Sequence, residues 1–202
     1  MKKWLPIIII LGIILLIGAY MASLNNKLVV LDQNATAQWA NVESSYQRRA
    51  DLIPNIVNTA KGYAEFEQST LIAVTEARSK ATSVTIDPSN ITPEQLAQYQ
   101  QAQAGVTSAL SRLLAVFERY PDLKANENFK ELINELERTE NRINVERNRF
   151  NDTARILNTK LNQFPTKLFA GMLGFHEKAY FKAEAGSENA PEVNFDFGKE
   201  KE

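Results

Sequence analysis

The chain of 202 residues has no cysteine and one histidine, His176. Without cysteine there are no disulfides, no thiolate zinc site, no thiol nucleophile and no acylated lipoprotein cysteine. A single imidazole excludes any site that needs two, including the paired Glu-x-x-His motifs of di-iron bundles. Charge of one sign is also lacking: 23 Lys plus Arg face 24 Asp plus Glu, for a net charge of −1. A nucleic-acid binder would normally carry a basic excess, so no nucleic-acid partner is expected. Glycine and proline are scarce between residues 25 and 170, where only Gly62, Gly105 and five prolines occur. Long stretches without breakers favour helix. No Walker A loop, GxSxG elbow or GxGxxG turn is present. Catalytic, cofactor-binding and metal-ligating residues are therefore not assigned, and no cofactor is expected.

What is present begins with a segment free of charge, Trp4 to Leu24. As a helix it spans about 30 Å, the thickness of a bilayer core. Pro6 falls in the first turn, where its missing N–H costs little. Trp4 and Tyr20 lie near the two ends, at headgroup level. The run is longer than a cleaved signal sequence needs, and its exit lacks a small-x-small site. Lys2 and Lys3 precede it and only Lys27 closely follows, which places residues 1–3 in the cytoplasm and the bulk outside. The lipid bilayer is thus the first expected partner. Gly18-x-x-x-Ala22 offers a close helix–helix contact through which the chain could form a homo-oligomer.

From residue 25 to 165 the apolar spacing is helical. Leu28, Leu31, Ala35, Trp39, Val42, Tyr46 and Ile53 form one stripe. Pro54 predicts a kink or break near 52–54. Residues 84–92 read as a loop. Thr92-Pro93-Glu94-Gln95 is a capping box with proline at the first helical position. A second connection is expected at 120–126. The cleanest stripe runs from Leu132 to Phe164 and stops at Pro165. The fold class is therefore all-α: a transmembrane helix, then an elongated antiparallel bundle of three to four long helices, then an irregular tail. Residues 166–181 read as an apolar packing segment and 182–202 as a mobile or extended tail.

Two groups of residues stand out. Glu146 occupies a core slot in an otherwise apolar row. A buried charge requires a partner, so Arg48, Arg49, Asp51, Glu140 and Glu146 are candidates for a polar network between helices. Phe169, Met172, Leu173, Phe175, Tyr180 and Phe181 form a candidate interaction segment for an envelope partner or a second copy.

The stretches QRRADLIPNIVNTAKGYAEFE (47–67), LIAVTEAR (71–78) and LLAVFERYPDLKANENFKELINELERTENRINVERNRFNDTARILNTKLNQFP (113–165) resemble the LemA family of bacterial membrane proteins. FAGMLGF (169–175) and PEVNFDF (191–197) are similar to its C-terminal pattern. The resemblance implies an N-terminal anchor, an antiparallel helical bundle outside the cytoplasm, and no enzymatic activity. The reading is a non-enzymatic scaffold or interaction module of the bacterial cytoplasmic membrane. The alternatives are an oligomeric membrane-organising protein, or a ligand binder or enzyme built on the aromatic C-terminal segment.

Overall fold

A computed structural model describes residues 4–63 and 67–182. The expectations for 183–202, including the extended PEVNFDF segment, lie outside the described residues. The helices are α1 (Leu5–Lys61), α2 (Gln68–Ser83), α3 (Pro93–Phe117), α4 (Pro121–Ala125), α5 (Glu127–Asn162) and α6 (Thr166–Phe169), with no strand among the described residues. Two of the long helices start at caps legible in the residues. The Thr92 hydroxyl accepts from the Gln95 N–H while the Gln95 side chain accepts from the Thr92 N–H. Asn126 accepts from the Phe129 N–H at 3.0 Å and opens α5. Each side chain satisfies a donor that the first turn leaves without a partner.

Of the kink or break expected near 52–54, the break does not occur: α1 continues through Pro54 to Lys61. Proline removes the N–H that would bond the carbonyl four residues back. That carbonyl belongs to Ala50, and Arg78 of α2 donates its Nε to it at 2.6 Å. The orphaned acceptor is satisfied across the bundle, so the helix goes on. The reversal instead comes after Gly62, whose N–H closes the last turn onto the Thr59 carbonyl at 3.2 Å. The connection expected at 120–126 is also not all loop, since Pro121–Ala125 forms the short α4.

Helices α1, α2, α3 and α5 alternate in direction, and apolar side chains from all four meet in layers along the axis. Farthest from the apolar N-terminal run, Ile53, Ile56 and Ala60 pack with Leu71, Val74, Leu110, Leu113 and Phe129. A middle layer gathers Trp39, Val42, Tyr46, Tyr99, Phe150 and Phe181. The third layer holds Leu24, Leu28, Leu157, Leu161 and Ala170. Of the four long helices only α1 and α5 reach this third layer, and residues 169–175 close it. At 1.5 Å per residue α1 is about 86 Å long. Its first third is apolar on every side and exposed, from Ile7 to Ile17. It is the one helix among the described residues long and apolar enough to cross a membrane.

Candidate functional site

Arg49 is the most deeply buried charged residue on the four long helices, with 2% of its surface exposed. Its Nη1 donates to Glu140 Oε1 at 2.6 Å and to Thr107 Oγ1 at 3.0 Å. Its Nη2 donates to Gln103 Oε1 at 2.6 Å and to the Gln103 carbonyl at 3.2 Å. The guanidinium also lies 5.0 Å from the centre of the Tyr46 ring. One planar, permanently charged group thus ties α1 to α3 and α5. Because Glu140 is one-third exposed, water screens the pair on one side and reduces its worth.

The other candidates do not all join this node. Arg48 binds Glu135 at 2.7 Å on the surface. Asp51 accepts from Gln47 at 2.8 Å and takes no part. Glu146 is buried and forms a second node, accepting from Gln38 at 2.6 Å and from Arg149 at 3.0 Å. The sequence names the right helices for a polar network, but the structure divides its members between two levels.

Arg49, Tyr46 and Gln103 separate two clefts. One, of about 310 Å³, opens toward α2 and includes Glu43, Gln47, Arg78 and Thr82. The other, of about 610 Å³, runs between α3 and α5 past Gln100, Ala104, Asn144 and Arg147 to Lys182. The Tyr99 hydroxyl, at the first cleft, is pushed well above its ordinary pKa by burial, reinforced by Tyr46 and Glu43. It stays neutral across the physiological range. Among the described residues no three or more His, Cys, Asp or Glu side chains are grouped to hold a metal.

The C-terminal segment is built largely into the bundle. Phe181 stacks on Trp39 with ring centres 5.7 Å apart and meets Phe150 edge-on. Two asparagines of α5 grip its backbone. Asn151 donates to the Phe181 carbonyl at 3.0 Å and accepts its N–H at 2.9 Å. Asn158 does the same for Lys178, at 2.8 and 2.9 Å. The spacing is physical: seven helical residues rise about 10.5 Å, and three extended residues cover about 10 Å. Buried Lys178 reaches Asp32 at 2.9 Å and the Pro88 carbonyl at 2.8 Å, tying the segment to α1 and to the loop before α3. Of the candidate interaction residues, Phe169, Leu173 and Phe175 are half-buried against the third layer. Only Met172 and Tyr180 are exposed.

Asn151, Asn158, Lys178 and Arg78 escape sequence reasoning. Each looks like a surface residue until its backbone partner, distant in sequence, is known. The one advance signal is the seven-residue spacing of the two asparagines, and it means nothing without the extended chain beside it.

An all-helical chain with an exposed apolar helix leading into a four-helix bundle defines a class: membrane-associated helical proteins. Within it the chain belongs to the LemA family, whose model matches residues 38–195. It is 26% identical over 189 residues to magnetosome protein MamQ 2 of Paramagnetospirillum magneticum, covering 84% of this chain and 70% of that one. It is 27% identical over 173 residues to magnetosome protein MamQ of Magnetospirillum gryphiswaldense, covering 77% and 64%. Protein LemA of Metamycoplasma hominis is 28% identical over 151 residues, covering 75% and 64%.

Proposed function

We propose that this chain is a non-catalytic scaffold of the bacterial cytoplasmic membrane that holds a partner protein at a fixed height above the bilayer. The observation that carries this reading is the unbroken run of α1 from an apolar segment into the deepest layer of the bundle. A span joined to its domain by a loop would let the domain tumble. A span that is itself a core helix passes position and orientation on to everything packed against it. The fate of the buried charges supports the non-catalytic part. Arg49, Glu146 and Lys178 are each matched to structural partners. An enzyme would aim such groups at a reacting atom in a pocket.

The cleft between α3 and α5 is the partner surface in this reading, because it is the larger of the two that flank Arg49 and is lined by side chains of mixed polarity. In this reading the bundle faces away from the cytoplasm, which the basic residues Lys2 and Lys3 on the short side support. The test places a photoreactive residue at Gln101 or Asn144, in the cleft, and at Glu76 as a control, in intact cells. The reading expects one discrete adduct with another envelope protein from the cleft positions and none from the control. Adducts of two copies of this chain would favour the oligomeric alternative. Equal, diffuse labelling from all positions would overturn the reading. Protease digestion of a tag after Glu202 in intact spheroplasts checks the orientation.

A further inference from the structure

We infer that the turn formed by residues 163–173 is a second membrane contact, dipping Phe164, Leu168 and Met172 into the headgroup–acyl boundary beside the exit of the transmembrane helix. The inference rests on the reading of Trp4–Leu24 as a membrane span. Its starting point is the third core layer, where Leu24 and Leu28 of α1 pack with Leu157, Leu161 and Ala170. Leu24 is the last apolar residue before the polar exit Asn25-Asn26-Lys27. The end of α5 and the turn after it are therefore held at the level where the span leaves the bilayer.

The backbone of this turn is nearly helical. Lys167 N–H bonds the Gln163 carbonyl at 2.9 Å, Ala170 that of Thr166 at 2.9 Å, and Leu173 that of Phe169 at 3.0 Å. From Thr166 onward, residues four apart then share a face. The inner face is buried: Thr166 and Ala170 are in the core, with Phe169 and Leu173 half-covered. On the outer face Leu168 is 62% exposed and Met172 79%, and Phe164 is 83% exposed. Leu168 and Met172 share this face and Phe164 precedes it; three large apolar residues on one short turn, open to solvent, are unusual in a water-facing loop.

Bilayer, rather than another protein, is the occupant that the position selects. The row lies beside the span that α1 continues, so both surfaces meet the same medium. The charge pattern agrees. Lys27, one turn beyond Leu24, and Lys167, within the turn, are both exposed, and neither has an ion pair among the described residues. An apolar face rimmed by lysines is the pattern of a segment lying in the interface, with the ammonium groups at anionic headgroups. Glu177 stands nearby but is engaged by the Asn162 amide at 2.5 Å. With two points of contact, the span and this turn, the bundle could not rotate freely about α1.

Because the chain has no cysteine, single probes can be placed at will. Full-length chains bearing Leu168→Cys, Met172→Cys, Ile14→Cys or Ser108→Cys are labelled with a fluorophore and reconstituted in nanodiscs carrying lipid-borne quencher. The inference expects quenching at Leu168 and Met172 several-fold above that at Ser108 and approaching that at Ile14. It also expects Lys167→Glu to weaken the quenching at Met172 in anionic discs and to have little effect in neutral ones. Quenching at Ile14 without quenching at Leu168 and Met172 would overturn the inference and leave the span in place. No quenching at Ile14 would overturn both. Spin labels at Met172 that couple to one another in discs, without lipid contact, would assign the row to a second copy of this chain instead.

Discussion

The two ends of α1 are one helix in two solvents. Near its start Ile10 is more than half exposed, while Ile53, forty-three residues on, is 1% exposed. The backbone geometry is the same, and the residue type is the same. What differs is what surrounds the rest of the helix. From Ile7 to Ile17 apolar side chains point in every direction, so no protein face is selected and lipid serves all round. From Leu31 to Ala60 the large apolar residues keep to one stripe, and that stripe is covered by α2, α3 and α5. Side-chain pattern alone decides which medium each half meets.

The largest expected effect comes from making the same cut in both halves. Ile53→Ala leaves a cavity in a packed layer and should lower bundle stability by about 2–5 kcal/mol. Ile10→Ala removes the same atoms where lipid closes the gap, and should change it by less than about 0.5 kcal/mol. Denaturation in detergent, followed by circular dichroism, compares the two. Similar losses from both would mean that the apolar third packs against protein.

The asparagine grips give the next effect. Asn158→Ala leaves the buried N–H and carbonyl of Lys178 without partners, at a cost of about 1–3 kcal/mol. Hydrogen exchange should show the amides of Lys178 and Ala179 losing protection while the span does not respond. Unchanged protection would mean that the segment is held by its apolar contacts alone.

Smaller again is the coupling between Arg78 and Pro54. Arg78→Leu strips the Ala50 carbonyl of its donor. In a Pro54→Ala background the residue at 54 regains its N–H, and the loss should shrink. A double-mutant cycle is expected to return a coupling of about 1 kcal/mol. Additive effects would mean that the carbonyl is satisfied in another way.

The smallest effect is confined to alkaline solution. Burial raises the Tyr99 pKa in the folded chain above its ordinary value of 10.0. The unfolded chain therefore ionises first. The stabilisation is complete below pH 10 and is lost as the pH rises beyond it. Tyr99→Phe should flatten that alkaline decline and leave the acid side unchanged.

Much of this fold is written in local pattern. The stripe of α5 contains Glu146 in a core position, and the boxes at Thr92 and Asn126 mark two helix starts from neighbours within three residues. Pro54 is where local reading fails, because its remedy is a side chain from another helix, twenty-four residues later. The same holds for Lys178 and the two asparagines. Apart from Asp32, which pairs with Lys178, their partners are backbone atoms on other segments, and backbone atoms leave no mark in residue identity. The candidate interaction segment reads as one surface for the same reason. Apolar character does not tell Phe181, which completes the aromatic layer, from Met172, which stands outside it.

A scaffold of fixed height requires α1 to be a single rod from bilayer to bundle. The direct measurement is the distance between spin labels at Tyr20→Cys and Asn58→Cys in the full chain in nanodiscs. Thirty-eight residues of unbroken helix predict one narrow distribution centred near 57 Å, at about 1.5 Å per residue. A shorter or broad distribution would mean a joint between span and bundle, and would contradict a scaffold that holds its partner at a fixed height.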